Sequence, residues 1–198
     1  MVNPSGFDRY AHAYGARSAP APAGPSKGRE PMTSLQVDHS SQLANPLDIL
    51  EAMFQANEWP FERSDDEELI VETTGGWCDY RMLFVWREDM HAFYYTCTFD
   101  LKIPGDRRKG VVELLALINE KMWMGHFDLC SESGSPTYRH TIPTRGMGGF
   151  SVEQLEDLMD IALAECERFY PAFQFLLWGG YKPEEAVQAA LLDCQGEA

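Results

Sequence analysis

Three stretches of this chain combine side chains that chemistry could use. Arg145-Gly146-Met147-Gly148-Gly149-Phe150 sits just ahead of a helix start, where backbone amides can hold a phosphate. It lacks the Lys-Ser/Thr of a phosphate-binding loop and the third glycine of a dinucleotide fingerprint. A flexible connector is the competing reading. His126 and His140 lie in two neighbouring strand-like runs, with Asp128 two residues beyond His126. Facing one another, the two imidazoles would make a general acid–base pair; apart, they are surface histidines. A small-molecule sensor or an enzyme would therefore have to use the Gly146–Gly149 loop or the His126/His140 pair. Ser133-Gly134-Ser135 has no G-x-S-x-G around either serine and reads as a turn. Asp65-Asp66-Glu67-Glu68 lacks the alternating ligands, central glycine and terminal glutamate of a calcium loop, and reads as a solvated turn.

The remaining chemistry-bearing residues point away from a metal or cofactor. Cys78, Cys97, Cys130, Cys166 and Cys194 form no C-x-x-C and would leave one thiol over if bridged. Buried free thiols in a reducing cytoplasm are the expectation. Histidines at 12, 39, 91, 126 and 140 are scattered without ligand spacing, so neither zinc nor another cofactor is expected. Acidic residues outnumber Lys plus Arg by 31 to 16, a formal charge of −15. Residues 1–40 hold four basic and three acidic side chains, which leaves 12 against 28 for residues 41–198. A field of that sign repels nucleic-acid phosphates and anionic membranes, so neither is an expected partner. No apolar run reaches the roughly 18 residues of a membrane span, and the N-terminus lacks a signal-like apolar core.

The elements that must position these residues change character near residue 45. Ser18 to Gly28 is rich in Pro, Ala, Gly and Ser, a composition that cannot offset its ordering entropy by burial. Residues 1–44 are expected to be a disordered tail, and Met32 offers an alternative start that would leave residues 1–31 untranslated. Asn45 is an N-cap candidate with Pro46 at the first helical position, and Leu47, Leu50, Met53 and Phe54 share a face, giving a helix over about 46–56.

A short extended piece at Trp59–Glu62 precedes a strand at Glu68–Thr73 and the Gly75-Gly76 turn. Cys78–Trp86 and His91–Phe99 then form a hairpin. With Glu88-Asp89 as a two-residue loop, Phe84 faces Phe93, Met82 faces Tyr95 and Tyr80 faces Cys97. Tyr80, Met82, Phe84, Trp86, Phe93, Tyr95 and Phe99 become the core face; Asp79, Arg81, Leu83, Val85, Ala92, Tyr94 and Thr96 lie opposite.

A second helix follows over about 107–123, with Val111, Leu114, Leu115, Ile118 and Met122 in period and Gly125 as its C′ residue. Strands near 126–131 and 137–143 come next. Ser151-Val152-Glu153-Gln154 is a capping box opening a long helix, in which Pro171 must cause a kink or begin a new helix. A last helix starts at Pro183. Strands in blocks favour α+β, an antiparallel sheet packed against helices. The expected domains are the tail 1–44, an α+β unit over 45–180 and a terminal helix with short tail over 181–198.

Three segments together resemble the YbjN-domain family. They are Asp79–Trp86, the run Leu114–Asn119 leading to Gly125-His126-Phe127, and Phe150–Leu155 continuing to Phe169-Tyr170-Pro171. The resemblance covers roughly residues 46–178. It implies a bacterial sensory transduction regulator whose fold is similar to type III secretion chaperones. It brings no catalytic residues, and implies dimerisation and a grip on partner polypeptides through apolar surfaces and sheet edges.

The functional expectation is thus a non-enzymatic regulatory or chaperone-like protein, with an unidentified protein partner and a homodimeric state. Phe169–Trp178 carries apolar residues almost all round a helix, so it is either covered within the monomer by helix 183–193 or meets a partner. Candidate contact residues are Leu83, Val85 and Tyr94 on the hairpin, and Phe173, Phe175 and Trp178 on the helix.

Overall fold

Asn45 caps the first helix as its type predicts. Its side chain accepts a hydrogen bond of 2.9 Å from the Leu47 amide, and Pro46 opens α1 (Pro46–Ala56), whose Leu47, Leu50 and Phe54 are buried. The computed structural model describes residues 44–193, so the expected tail lies, Ala44 apart, outside the described residues. Beyond α1 come β1 (Phe61–Arg63), β2 (Glu68–Thr74), β3 (Asp79–Arg87), β4 (Ala92–Phe99), α2 (Arg108–Asn119), β5 (His126–Leu129), β6 (Pro136–Pro143), α3 (Val152–Leu177) and α4 (Pro183–Asp193). The class is α+β, with one antiparallel sheet in the order β1-β2-β3-β4-β6-β5.

The hairpin register corrects one expectation without changing its consequence. Arg87 pairs with Ala92, which leaves a four-residue turn, Glu88–His91. The Met90 amide donates to the Arg87 carbonyl at 3.2 Å and the His91 amide to Glu88 at 3.0 Å. His91 adopts φ 47°, the left-handed conformation that closes the turn. Phe84 therefore faces Tyr95, Met82 faces Cys97 and Tyr80 faces Phe99. The slip is two residues, and the strand period is two, so every side chain keeps its face. Tyr80, Met82, Phe84, Trp86, Phe93, Tyr95, Cys97 and Phe99 are all buried.

The helices cover that face. Buried apolar residues of all four join one core with the inner sheet residues, and α4 adds Ala186, Val187 and Ala190 by packing on α2 and α3. Phe99 lies near the centre, with ring centroids of Tyr80, Phe127, Tyr170 and Phe173 at 5.9, 5.7, 5.6 and 5.3 Å. These are edge-on or tilted contacts, the arrangement that ring quadrupoles favour.

One of the two alternatives for Pro171 is excluded, and one helix end moves. Helix α3 runs through Pro171 as one element to Leu177 instead of restarting there. Pro171 is itself buried, and the aromatic contacts of Phe169, Tyr170 and Phe173 on either side offset the lost backbone bond. Helix α2 stops at Asn119, short of 123, because the Asn119 side chain takes both backbone groups of Phe127, donating to its carbonyl at 3.0 Å and accepting from its amide at 2.7 Å. Gly125 is thus no C′ residue. It has φ 64° at the entry to β5, where a Cβ would lie 2.4 Å from the Tyr138 ring.

The two faces of the hairpin should differ in energetic weight. Phe84→Ala is expected to destabilise by about 3–5 kcal/mol in urea denaturation. Leu83→Ala, half-buried on the opposite face, should lose about 1 kcal/mol. Equal losses would mean that a second layer covers the sheet.

Candidate functional site

The pairing register lays out the outer sheet face in three rows. Ile70, Leu83, Thr96, Arg139 and His126 form one; Glu68, Val85, Tyr94 and Thr141 form the next; Glu72, Arg81, Thr98, Thr137 and Asp128 form the third. The apolar centre is Ile70, Leu83, Val85 and Tyr94. Leu83 and Tyr94 are half-buried, whereas Ile70 and Val85 are 5% exposed, and neither of the latter belongs to the main core. Polar links flank the centre: Thr98 and Thr137 hydroxyls at 3.2 Å, and Arg139 Nε to Asp128 Oδ2 at 3.8 Å.

The sequence placed Leu83, Val85 and Tyr94 together, and here they meet on β3 and β4, with Val85 directly opposite Tyr94. Ile70 and Glu68 join them from β2 and were missed. Their facing depends on the β2–β3 register, which no local signal supplies.

The other three candidates separate. Phe173 is fully buried against Phe99 and Phe127, so it is removed from any contact surface. Phe175 is half-buried, its ring 5.2 Å from Tyr181. Trp178, the C-cap of α3, is 67% exposed. Helix α4 provides the cover that the apolar Phe169–Trp178 segment required.

The chemistry candidates do not assemble into a reacting centre. The N-terminus of α3 is closed by its own capping box: the Gln154 amide donates to Ser151 Oγ at 3.2 Å, and the Ser151 amide to Gln154 Oε1 at 2.9 Å. Glu153 beside it is held below its ordinary carboxylate range by its own backbone amide and then by Ser151. A phosphate near Gly146–Gly149 would meet this charge rather than open amides.

His126 pairs in register with Arg139, so it projects from the outer face, while His140 pairs with Tyr95 and projects inward. The two imidazoles thus lie on opposite sides of the sheet and make no acid–base pair. Burial, and next the nearby His126, hold His140 below its ordinary range, with its ring edge-on to Tyr95 at 6.0 Å. Asp128 turns to Arg139 instead.

The acid run folds as a turn: Asp65 Oδ1 accepts from the amides of Glu67 and Glu68 at 2.7 and 3.1 Å. Burial pushes the Cys166 thiol well up, which suppresses the thiolate a nucleophile or metal ligand needs. Among the described residues no three His, Cys, Asp or Glu side chains are grouped to hold a metal, and no helix is long and apolar enough to cross a membrane.

A further contact, also missed, ties the β2–β3 turn to α3. The Gly76 amide donates to Glu167 Oε1 at 2.7 Å, and a Cβ on Gly75 would fall 2.1 Å from that oxygen. The Gly75-Gly76 pair signalled a turn, but not the helix carboxylate it admits.

An antiparallel six-stranded sheet with all its described helices on one face defines a small α+β domain. The family model for YbjN, described as "Putative bacterial sensory transduction regulator", matches residues 46–175, and the chain belongs to this family. A crystal structure of YbjN, a putative transcription regulator from E. coli, aligns with TM-score 0.42 and 12% identity over 76% of this chain and 91% of that one. A crystal structure of the ExsC–ExsE complex aligns with TM-score 0.42 and 11% identity over 63% of this chain and 92% of the matched one. No curated protein matches the sequence.

The division of the α3 aromatics is open to direct test. Phe173→Asp should abolish the cooperative thermal transition, because it buries an unpaired charge. Trp178→Glu should shift the melting temperature by no more than about 2 °C. Comparable losses from both would contradict this placement.

Proposed function

We propose that the protein is a non-enzymatic regulator that acts through protein–protein contacts, gripping a partner polypeptide in chaperone-like fashion on its outer sheet face. One observation carries this reading: the described helices pack on one side of the sheet, while the other carries half-buried Leu83 and Tyr94 around the buried Val85, with no described helix over them. Apolar side chains so placed are worth most when a partner desolvates them. Membership of a family described as sensory transduction regulators supports the same reading. The domain's negative charge opposes nucleic acid and anionic lipid as partners. The unbridged Cys78, Cys97, Cys130 and Cys166 suit the bacterial cytoplasm as its site of action.

Homodimerisation is part of the proposal, through the end of α3. With Phe173 in the core, Phe175 and exposed Trp178 are the residues left for it, beside Tyr181, which is 44% exposed. Light scattering at high micromolar concentration should report a dimer that Trp178→Glu converts to monomer. A wild-type monomer would remove this element while leaving the outer-face reading intact.

The contact function is tested by affinity capture from the native lysate with wild type and a Leu83→Asp/Tyr94→Asp double variant. Proteins held by wild type at stoichiometric level should be lost from the variant, whose far-UV circular dichroism stays native. A thermal shift of several degrees with a nucleotide or metabolite, unaffected by the double variant, would favour a small-molecule sensor instead.

A further inference from the structure

The sheet has two edges, and they are finished differently. One is β1, three residues long and too short to template another strand. The other is β5, which brings the buried Phe127 and Leu129 to the rim of the core. An open edge of this kind pairs readily with a strand of another chain.

Backbone groups alternate between the two sides of a strand. Both groups of Phe127 bond to Asn119, so Phe127 and Leu129 turn their amides and carbonyls away from β6, and His126 and Asp128 turn theirs toward it. Side chains meet three of the four outward groups. The Asn119 carboxamide donates to the Phe127 carbonyl at 3.0 Å and accepts from its amide at 2.7 Å. A residue on a seventh strand would make the same two bonds. The Leu129 amide donates to Asp128 Oδ1 at 2.7 Å. Past the end of β5, β6 runs on to Pro143, which has no amide to offer.

We propose that Asn119, with Asp128 beside it, closes the β5 edge and keeps the chain from joining its sheet to that of a second copy. Uncovered, the edge suits such a copy. Antiparallel pairing centred on Phe127 would exchange both of its backbone bonds and set His126 opposite the other copy's Asp128. The closure is separate from the α3 contact proposed above, so either can fail alone.

The test compares Asn119→Leu, close to asparagine in size but without hydrogen bonds, with Asn57→Leu. Asn57 also bonds a backbone carbonyl, that of Met53 at 2.9 Å, but at the end of α1. Both variants are followed by sedimentation velocity and amide hydrogen exchange, with circular dichroism confirming the fold. Asn119→Ala serves the same comparison if leucine impairs folding. At low micromolar concentration Asn119→Leu should speed exchange of the Phe127 amide about tenfold. At high micromolar concentration its mass should rise above that of wild type, and the Phe127 amide should regain protection. Asn57→Leu should change neither. An Asn119→Leu protein that keeps the wild-type mass at high concentration would overturn the proposal and leave Asn119 as a tie between α2 and β5. Association without protection of the Phe127 amide would place the contact elsewhere and overturn it too. So would equal association of Asn57→Leu, since lost stability alone would then suffice.

Discussion

The packing of the aromatic inner sheet face against α3 is the constraint on which the rest of the structure depends. Phe99 meets rings from β3, β5 and α3 within 6 Å, and Phe127 meets Tyr138, Phe169 and Phe173 in turn. Rings interlocked edge-on tolerate little sliding, so they fix where α3 lies across the strands. Once it is fixed, Glu167 reaches the β2–β3 turn and α4 finds its groove. The same packing places all four described helices on one face of the sheet, and no described helix lies on the other.

Much of this was legible in the sequence, for a reason particular to strands. Alternation along Tyr80–Trp86 and Phe93–Phe99 separates two faces whatever the loop length, provided the error in register is even. The expected two-residue loop was wrong by two, and Leu83, Val85 and Tyr94 still shared a face. Element ends were less legible. Asn119 sits in a helical apolar pattern, yet its side chain serves the backbone of Phe127, eight residues on. Phe173 could not be sorted from Trp178 by period, since apolar residues surround that part of the helix; only the placement of Phe99 and Phe127 buries one and not the other.

The candidate chemistry dissolved for equally local reasons. Pleat parity sends His126 and His140 to opposite sides of the sheet. The Ser151–Gln154 box uses the amides that a phosphate would want. Side chains suited to reaction are present but spent on capping, turns and ion pairs. The proposed contact role therefore rests on the half-buried Leu83 of the outer face and on membership of a family described by regulation.

The account's central claim is that the sheet has one face for folding and one for contact. The most direct measurement is methyl relaxation of the free protein in the presence of a soluble paramagnetic agent. Leu69 and Leu114, both buried in the core, should be protected, and the Leu83 methyls should relax strongly. Leu83 protected to the same degree as Leu114 would contradict the account, because the outer face would then already be covered in the free chain.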